Sequence, residues 1–328
     1  MQTRPLGGTG ITVSALTFGC GAVGGLMVRG DPETQREAVA RALDGGIRLF
    51  DTAAFYGDGL SETALGRALP RGEARAAVAT KVRLRPEDLA GGVAAAIRAS
   101  LDASLRRLGR ESVDLFQLHN RVGPEDAGDA LGVERILGDV IPAFEALRRA
   151  GKVRALGFTA LGDAAAIERL AAAGVFASAQ VPFNLLNPSA AGDGQGQGRG
   201  ESARLLRPGT SLGTIGIRIL AGGALGGAET RHALAAPVVA PVGGGPGTAR
   251  DYPADLRAAA RFQTLVAAGA ARSPAALAIR YGLAAPLDTV AVGFSSLDQL
   301  DAALEAAADG PLAADVLAEI GRIQADPA

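Results

Sequence analysis

Eight short apolar runs alternate with alanine- and leucine-rich stretches of helical length, and this rhythm predicts an α/β protein folded as a (β/α)8 TIM barrel. Length agrees: 328 residues with 48% apolar composition accommodate one such barrel and its loops, since a barrel typically needs about 250 residues. An open doubly wound sheet is the alternative. Eight strand candidates alternating with helices favour the closed barrel. A single domain over residues 1–328 is therefore expected.

In chain order, residues 4–6 and 11–13 flank Gly7-Gly8-Thr9-Gly10 and read as a hairpin placed to plug the bottom of the barrel. Strand candidates begin near Ala15, Ile47, Ala77, Val113, Arg154, Ser178, Thr214 and Thr289. Helices are expected over 34–44, 61–69 (with Ser61 as its cap), 89–108, 140–150, 163–173, a short 202–206, 258–283 and 297–308, with an extra terminal helix over 311–323. Three segments break the alternation: 121–138, 187–200 and 222–253. Each follows a strand, and the last two are rich in glycine. Long mobile loops at the carboxyl-end face are expected there.

Composition excludes several classes. A formal net charge of −1 argues against non-specific nucleic-acid or anionic-membrane binding. The one cysteine, Cys20, permits no internal disulfide and no metal cluster, and no metal site is expected. Lying between Gly19 and Gly21, it reads as a small buried apolar residue rather than a nucleophile. The first residues lack a signal-peptide core, and the longest low-charge run, 208–228, contains Arg218 and many glycines. A soluble, cytoplasmic protein without a membrane partner is expected.

The functional signal lies between Ile47 and Lys81. Ile47, Leu49 and Phe50 lead into Asp51, and residues 77–80 lead into Lys81, so both polar residues end an apolar strand. Tyr56 lies in the loop between. Parallel strands joined by crossover helices open their carboxyl ends on one face, which brings carboxylate, phenol and ammonium to one mouth. A free tyrosine titrates at about 10, and an ammonium beside it stabilises the phenolate. A buried Asp–Lys ion pair next to a core tyrosine is the plainer reading. The chain contains two lysines, Lys81 and Lys152, against thirty-one arginines. A lysine at a strand end, where arginine is the default cation, points to a compact, tunable charge. The fourth strand, residues 113–118, ends in His119, one of two histidines.

Asp51, Tyr56, Lys81 and His119 together resemble the catalytic tetrad of the aldo-keto reductase superfamily. FDTAAFYGDGLSETALGRAL, DLFQLHN, RPLGGTGITVSALTFG and AQVPFNLLNPSA are similar to that family's signature segments. The resemblance covers nearly the whole chain. It implies an NAD(P)H-dependent reductase that converts an aldehyde or ketone to an alcohol. Tyr56 would donate the proton, Lys81 would lower its pKa, Asp51 would support Lys81, and His119 would orient a small carbonyl substrate. It also implies NADPH as cofactor, with NADH possible, contacted by Gly21, Thr159, Gln180, Arg218, Gly222, Gly223, Gly293, Ser295 and Gln299. Gln180 matches the glutamine that bonds the carboxamide, and the glycines and serines after strands seven and eight would offer N–H groups to the pyrophosphate.

The chain departs from the family pattern at several points. Thr159-Ala160 replaces Ser-Asn, Arg218 stands where an aromatic residue stacks on the nicotinamide, and Ala302-Ala303 replaces Glu-Asn at the adenosine. GFSSLDQLDAAL lacks the cation that pairs with a 2′-phosphate, which implies weak discrimination between the two cofactors. Two other functions fit a barrel of this kind. One is a Schiff-base lyase using Lys81, which Asp51 opposes by keeping the lysine protonated. The other is a non-catalytic nucleotide-binding regulatory barrel.

Overall fold

The structure, a computed structural model, describes residues 1–70, 76–188, 190, 205, 211–228, 230–237 and 251–325. Eight parallel strands close into a barrel: β1 Leu16–Gly19, β2 Leu49–Asp51, β3 Ala77–Val82, β4 Val113–Leu118, β5 Val153–Thr159, β6 Ser178–Pro182, β7 Gly213–Ile217 and β8 Thr289–Gly293. Each strand pairs with its neighbour in sequence, and β8 pairs back onto β1. All eight strand candidates are present, with starts within two residues of expectation.

The hairpin forms as Thr3–Pro5 paired antiparallel with Thr12–Ser14. Leu6, Ile11 and Val13 pack with Leu49, Ala79, Leu115, Ala155 and Ile215 inside the barrel, so an apolar plug fills its amino-terminal half. Strand side chains alternate faces, so the next inward residue lies two positions on. Along β2, β3 and β4 those steps run Leu49 to Asp51, Ala79 to Lys81 and Leu115 to Gln117. The interior therefore changes from apolar to polar in one layer, towards the carboxyl-end mouth.

The helical ring differs from expectation at identifiable breaks. The 89–108 stretch is two helices, Pro86–Gly91 and Val93–Leu108, separated at Gly92, whose φ of 115° no ordinary helical residue adopts. The 258–283 stretch is three, Tyr252–Ala260, Gln263–Ala267 and Pro274–Ala284, interrupted by Gly269 at φ 83° and by Pro274 at a helix start. The segment 121–138, expected as a loop, carries short strands Arg121–Gly123 and Ala130–Gly132 and a helical run from Val133 that leads into Ile141–Arg149. Ser61 is not the cap of its helix, Leu60–Ala68: Gly59 precedes it in the left-handed region, while the Ser61 hydroxyl bonds Thr52 and the Cys20 carbonyl. Most of the expected 202–206 helix and of the 187–200 loop, with residues 229 and 238–250 of the 222–253 loop, lies outside the described residues; at the start of the last loop, Ala221–Gly226 forms 3-10 turns. No helix among the described residues is long and apolar enough to cross a membrane.

Candidate active site

Asp51 is the last residue of β2, Lys81 the penultimate residue of β3, and His119 the residue after β4. Tyr56 comes from the turn between β2 and its helix. Lys81 is fully buried and spends all three of its N–H bonds: on Asp51 Oδ2 at 2.6 Å, the Thr52 carbonyl at 2.8 Å and the Tyr56 oxygen at 3.3 Å. Asp51 Oδ1 accepts from Gln180 Nε2 at 2.8 Å and from Gln117 Nε2 at 3.1 Å. A buried charge pair is tolerated when further hydrogen bonds satisfy it, and here all three Lys81 N–H bonds and both Asp51 oxygens are engaged.

The electrostatics assign protons. Burial opposes a charge on Lys81, but Asp51 and Tyr56 outweigh it and hold its pKa above the ordinary lysine value. An amine so held is a poor nucleophile. Burial pushes the Tyr56 phenol above its ordinary pKa, with Lys81 pulling the other way and Asp51 adding to the rise. Lys81 lowers this pKa as expected, but desolvation of the phenolate exceeds the ammonium's pull, so the net shift is upward. Burial, reinforced by Lys81 and Arg83, pushes His119 down to about 3, so the imidazole is neutral at working pH. Its ring meets Tyr56 edge-on at 5.6 Å between centroids, and its Nδ1 is buried without a partner. The Cys20 thiol is pushed well up by burial and by Asp51 and is inert, as expected of a packing residue.

The remaining expected residues fall into three groups. Gly21 and Thr159 border the polar layer: a side chain on Gly21 would meet the Tyr56 ring at 3.7 Å, and Thr159 pairs in register with Gln180 and has a buried hydroxyl without a partner. Arg218, Gly222 and Gly223 follow β7 in left-handed backbone, at φ 59°, 65° and 106°. Arg218 is not glycine, so this backbone stores strain, and Asn184 secures it by donating to the Arg218 carbonyl at 3.0 Å. Gly293, Ser295 and Gln299 follow β8. Two N–H groups expected to face a pyrophosphate are engaged within the protein: Gly223 donates to the Leu220 carbonyl at 2.8 Å and Ser295 to Gln299 Oε1 at 2.8 Å. The Ser295 hydroxyl bonds the Gly24 carbonyl, which ties the β8 loop to the β1 loop.

Sequence reasoning missed Gln117, Thr52 and the rim of the mouth. Gln117 lies two residues before His119 on the same face of β4, and a polar residue inside an otherwise apolar strand was the available signal. At the rim, Phe55 is exposed, Arg83 sits 4.9 Å over its ring, and Asp129 accepts from Arg83 at 3.0 Å.

Residues 15–325 match the Aldo/keto reductase family. L-galactose dehydrogenase from Arabidopsis thaliana is 34% identical over 169 residues, covering 49% of each chain. D-threo-aldose 1-dehydrogenase from a Pseudomonas species is 33% identical over 174 residues, 45% of this chain and 50% of the relative. The chain thus matches about half the length of these curated relatives. Among solved structures, the holo form of aldo-keto reductase AKR11C1 from Bacillus halodurans superposes with a TM-score of 0.69 at 25% identity, covering 98% of this chain and 96% of that one. The glycerol dehydrogenase AKR11B4 from Gluconobacter oxydans shares the fold, with a TM-score of 0.72 at 23% identity over 99% of this chain and 97% of that one.

Proposed function

Because the chain belongs to the aldo/keto reductase family, we propose that it is an NAD(P)H-dependent oxidoreductase that reduces an aldehyde or ketone to an alcohol, with Tyr56 as proton donor. The observation that carries this reading is the Lys81 to Tyr56 hydrogen bond. An ammonium can donate but not accept, so the phenol cannot give its own proton to Lys81 and directs it towards the mouth. The phenol's raised pKa keeps that proton in place at neutral pH. Lys81 stabilises the phenolate left after transfer, and Asp51 holds Lys81 charged. His119, neutral and unable to serve as the acid, offers its ring to orient the substrate oxygen.

The residues present fit a nicotinamide dinucleotide. Thr159 supplies an orphaned buried hydroxyl beside Gln180, whose nitrogen is committed to Asp51 and whose oxygen remains to accept from a carboxamide. Gly222 and Arg218 after β7, with Gly293 and Gln299 after β8, would border the dinucleotide's phosphates and sugars, and Gly21 would border the nicotinamide. When bound, the reduced cofactor supplies the hydride that the carbonyl carbon accepts. Aldoses are the first substrates to assay, since two relatives are named for dehydrogenation of such sugars and the Phe55–Arg83–Asp129 rim offers an aromatic face beside polar groups.

The reading is tested by aldehyde- and ketone-dependent oxidation of NADPH and NADH, and by aldose-dependent reduction of NADP+ and NAD+. Ser295 is buried and committed to Gly24 and Gln299, and the adjoining helix Leu297–Asp309 presents Asp298 in its first turn. With no cation in residues 293–304, the two cofactors should differ in kcat/KM by less than about a hundredfold, or roughly 2.7 kcal/mol. A larger NADPH preference requires a phosphate-binding cation from another segment. Asp298→Arg should shift the ratio towards NADPH.

A further inference from the structure

We propose that Gln117 is a positioning residue of this site: its side-chain amide, together with that of Gln180, holds one oxygen of Asp51 so that the carboxylate engages Lys81 through the other oxygen alone, leaving a Lys81 N–H for Tyr56. The proposal rests on the reading of Tyr56 as the proton donor.

The geometry supports it from three sides. Gln117 is fully buried and lies opposite Lys81 in the β3–β4 register. Its nitrogen and that of Gln180 converge on Asp51 Oδ1 at 3.1 and 2.8 Å, while Lys81 takes Oδ2 at 2.6 Å. A carboxylate free to turn would present both oxygens to the ammonium and draw it away from the phenol. Pinned at Oδ1, Asp51 takes one Lys81 N–H, the Thr52 carbonyl a second and Tyr56 the third.

Packing does not account for an amide at this position. Gln117 Oε1 is buried with no partner, and an unsatisfied buried acceptor is costly where a leucine would carry none. The amide cannot turn over to relieve that cost, because its oxygen would then face a carboxylate oxygen. Space is reserved for it as well: Gly157 lies opposite in register, and any Cβ there would be 3.1 Å from Gln117 Cγ and 2.4 Å from Ser178 Oγ. The other groups around the Asp51–Lys81–Tyr56 array are the neutral Cys20 thiol after β1 and the neutral His119 ring after β4, with Arg83 beyond it after β3. The amide dipoles of Gln117 and Gln180 are therefore the chain's means of biasing the carboxylate.

The test uses Gln117→Leu and Gln117→Glu in the full chain. Three quantities are read: the urea midpoint, the ultraviolet titration of the Tyr56 phenol against a Tyr56→Phe background, and kcat and KM across pH. Gln117→Leu loses a hydrogen bond to Asp51 but also removes an unpartnered acceptor, so the midpoint should move little, while kcat falls about tenfold with KM unchanged and the phenol titration moves up by about one unit. Protonated glutamic acid still donates to Asp51, so Gln117→Glu should recover kcat at low pH and lose it as the new carboxyl ionises. A leucine variant with wild-type kcat and phenol titration would overturn the proposal. So would equal losses in both variants at every pH together with a lowered midpoint, which would mark Gln117 as packing only. Failure of the proton-donor reading looks different: Tyr56→Phe would keep wild-type turnover, while the phenol titration would still report on Gln117.

Discussion

Replacing Tyr56 with phenylalanine is expected to lower carbonyl reduction by about 10²–10⁴-fold while leaving cofactor affinity close to wild type. The substitution keeps the ring against His119 and removes only the oxygen that Lys81 reaches at 3.3 Å. With His119 titrating at about 3, no second acid stands ready beside the substrate oxygen. In the wild type the reductive rate should stay level through neutral pH and fall only on the alkaline side, as the phenol loses its proton. The raised Tyr56 pKa places that fall above the ordinary tyrosine value of about 10. Steady-state kinetics and cofactor fluorescence titration measure the two quantities separately, and near-normal turnover in Tyr56→Phe would require a different acid.

Lys81→Met should be damaging twice over. Asp51 is buried, and its ion pair with Lys81 has almost no solvent exposure on either side chain. Removing one member of such a pair leaves an uncompensated buried charge and typically costs about 3–5 kcal/mol. Activity should fall with stability, since the phenolate loses the charge that stabilises it. A Lys81→Met, Asp51→Asn double variant separates the effects: urea unfolding should show most of the lost stability restored, and the kinetics should show no recovered turnover. Recovered turnover in the double variant would mean that the ammonium serves the fold alone.

The barrel was legible because each strand is a short apolar run ending in punctuation, and Asp51, Lys81 and His119 stood out as polar residues at those ends. Helix interruptions were harder to read. Gly92 and Gly269 sit in alanine-rich surroundings that continue the helical pattern on both sides, and only their left-handed backbone shows where the helix stops. Ser61 looked like a cap because its type suits one; its hydroxyl is instead drawn inward to Thr52 and Cys20. The tetrad was visible through groups that titrate. The glutamines around Asp51 do not titrate, so their role emerges only when three strands bring Gln117, Gln180 and Asp51 together. The direction of the Tyr56 shift was also hidden, because it depends on burial, which the sequence does not quantify.

The central claim is that hydride and proton are delivered separately to a carbonyl, the proton by Tyr56. Its most direct test is turnover of a reducible aldehyde with NADPH, or NADH, carrying deuterium at both hydrogens of the nicotinamide C4, followed by mass spectrometry of the product. The account predicts an alcohol with one deuterium on the former carbonyl carbon and none on oxygen after exchange in ordinary water. An unlabelled product, together with a Lys81 adduct trapped by borohydride, would contradict it and assign the lysine to covalent chemistry.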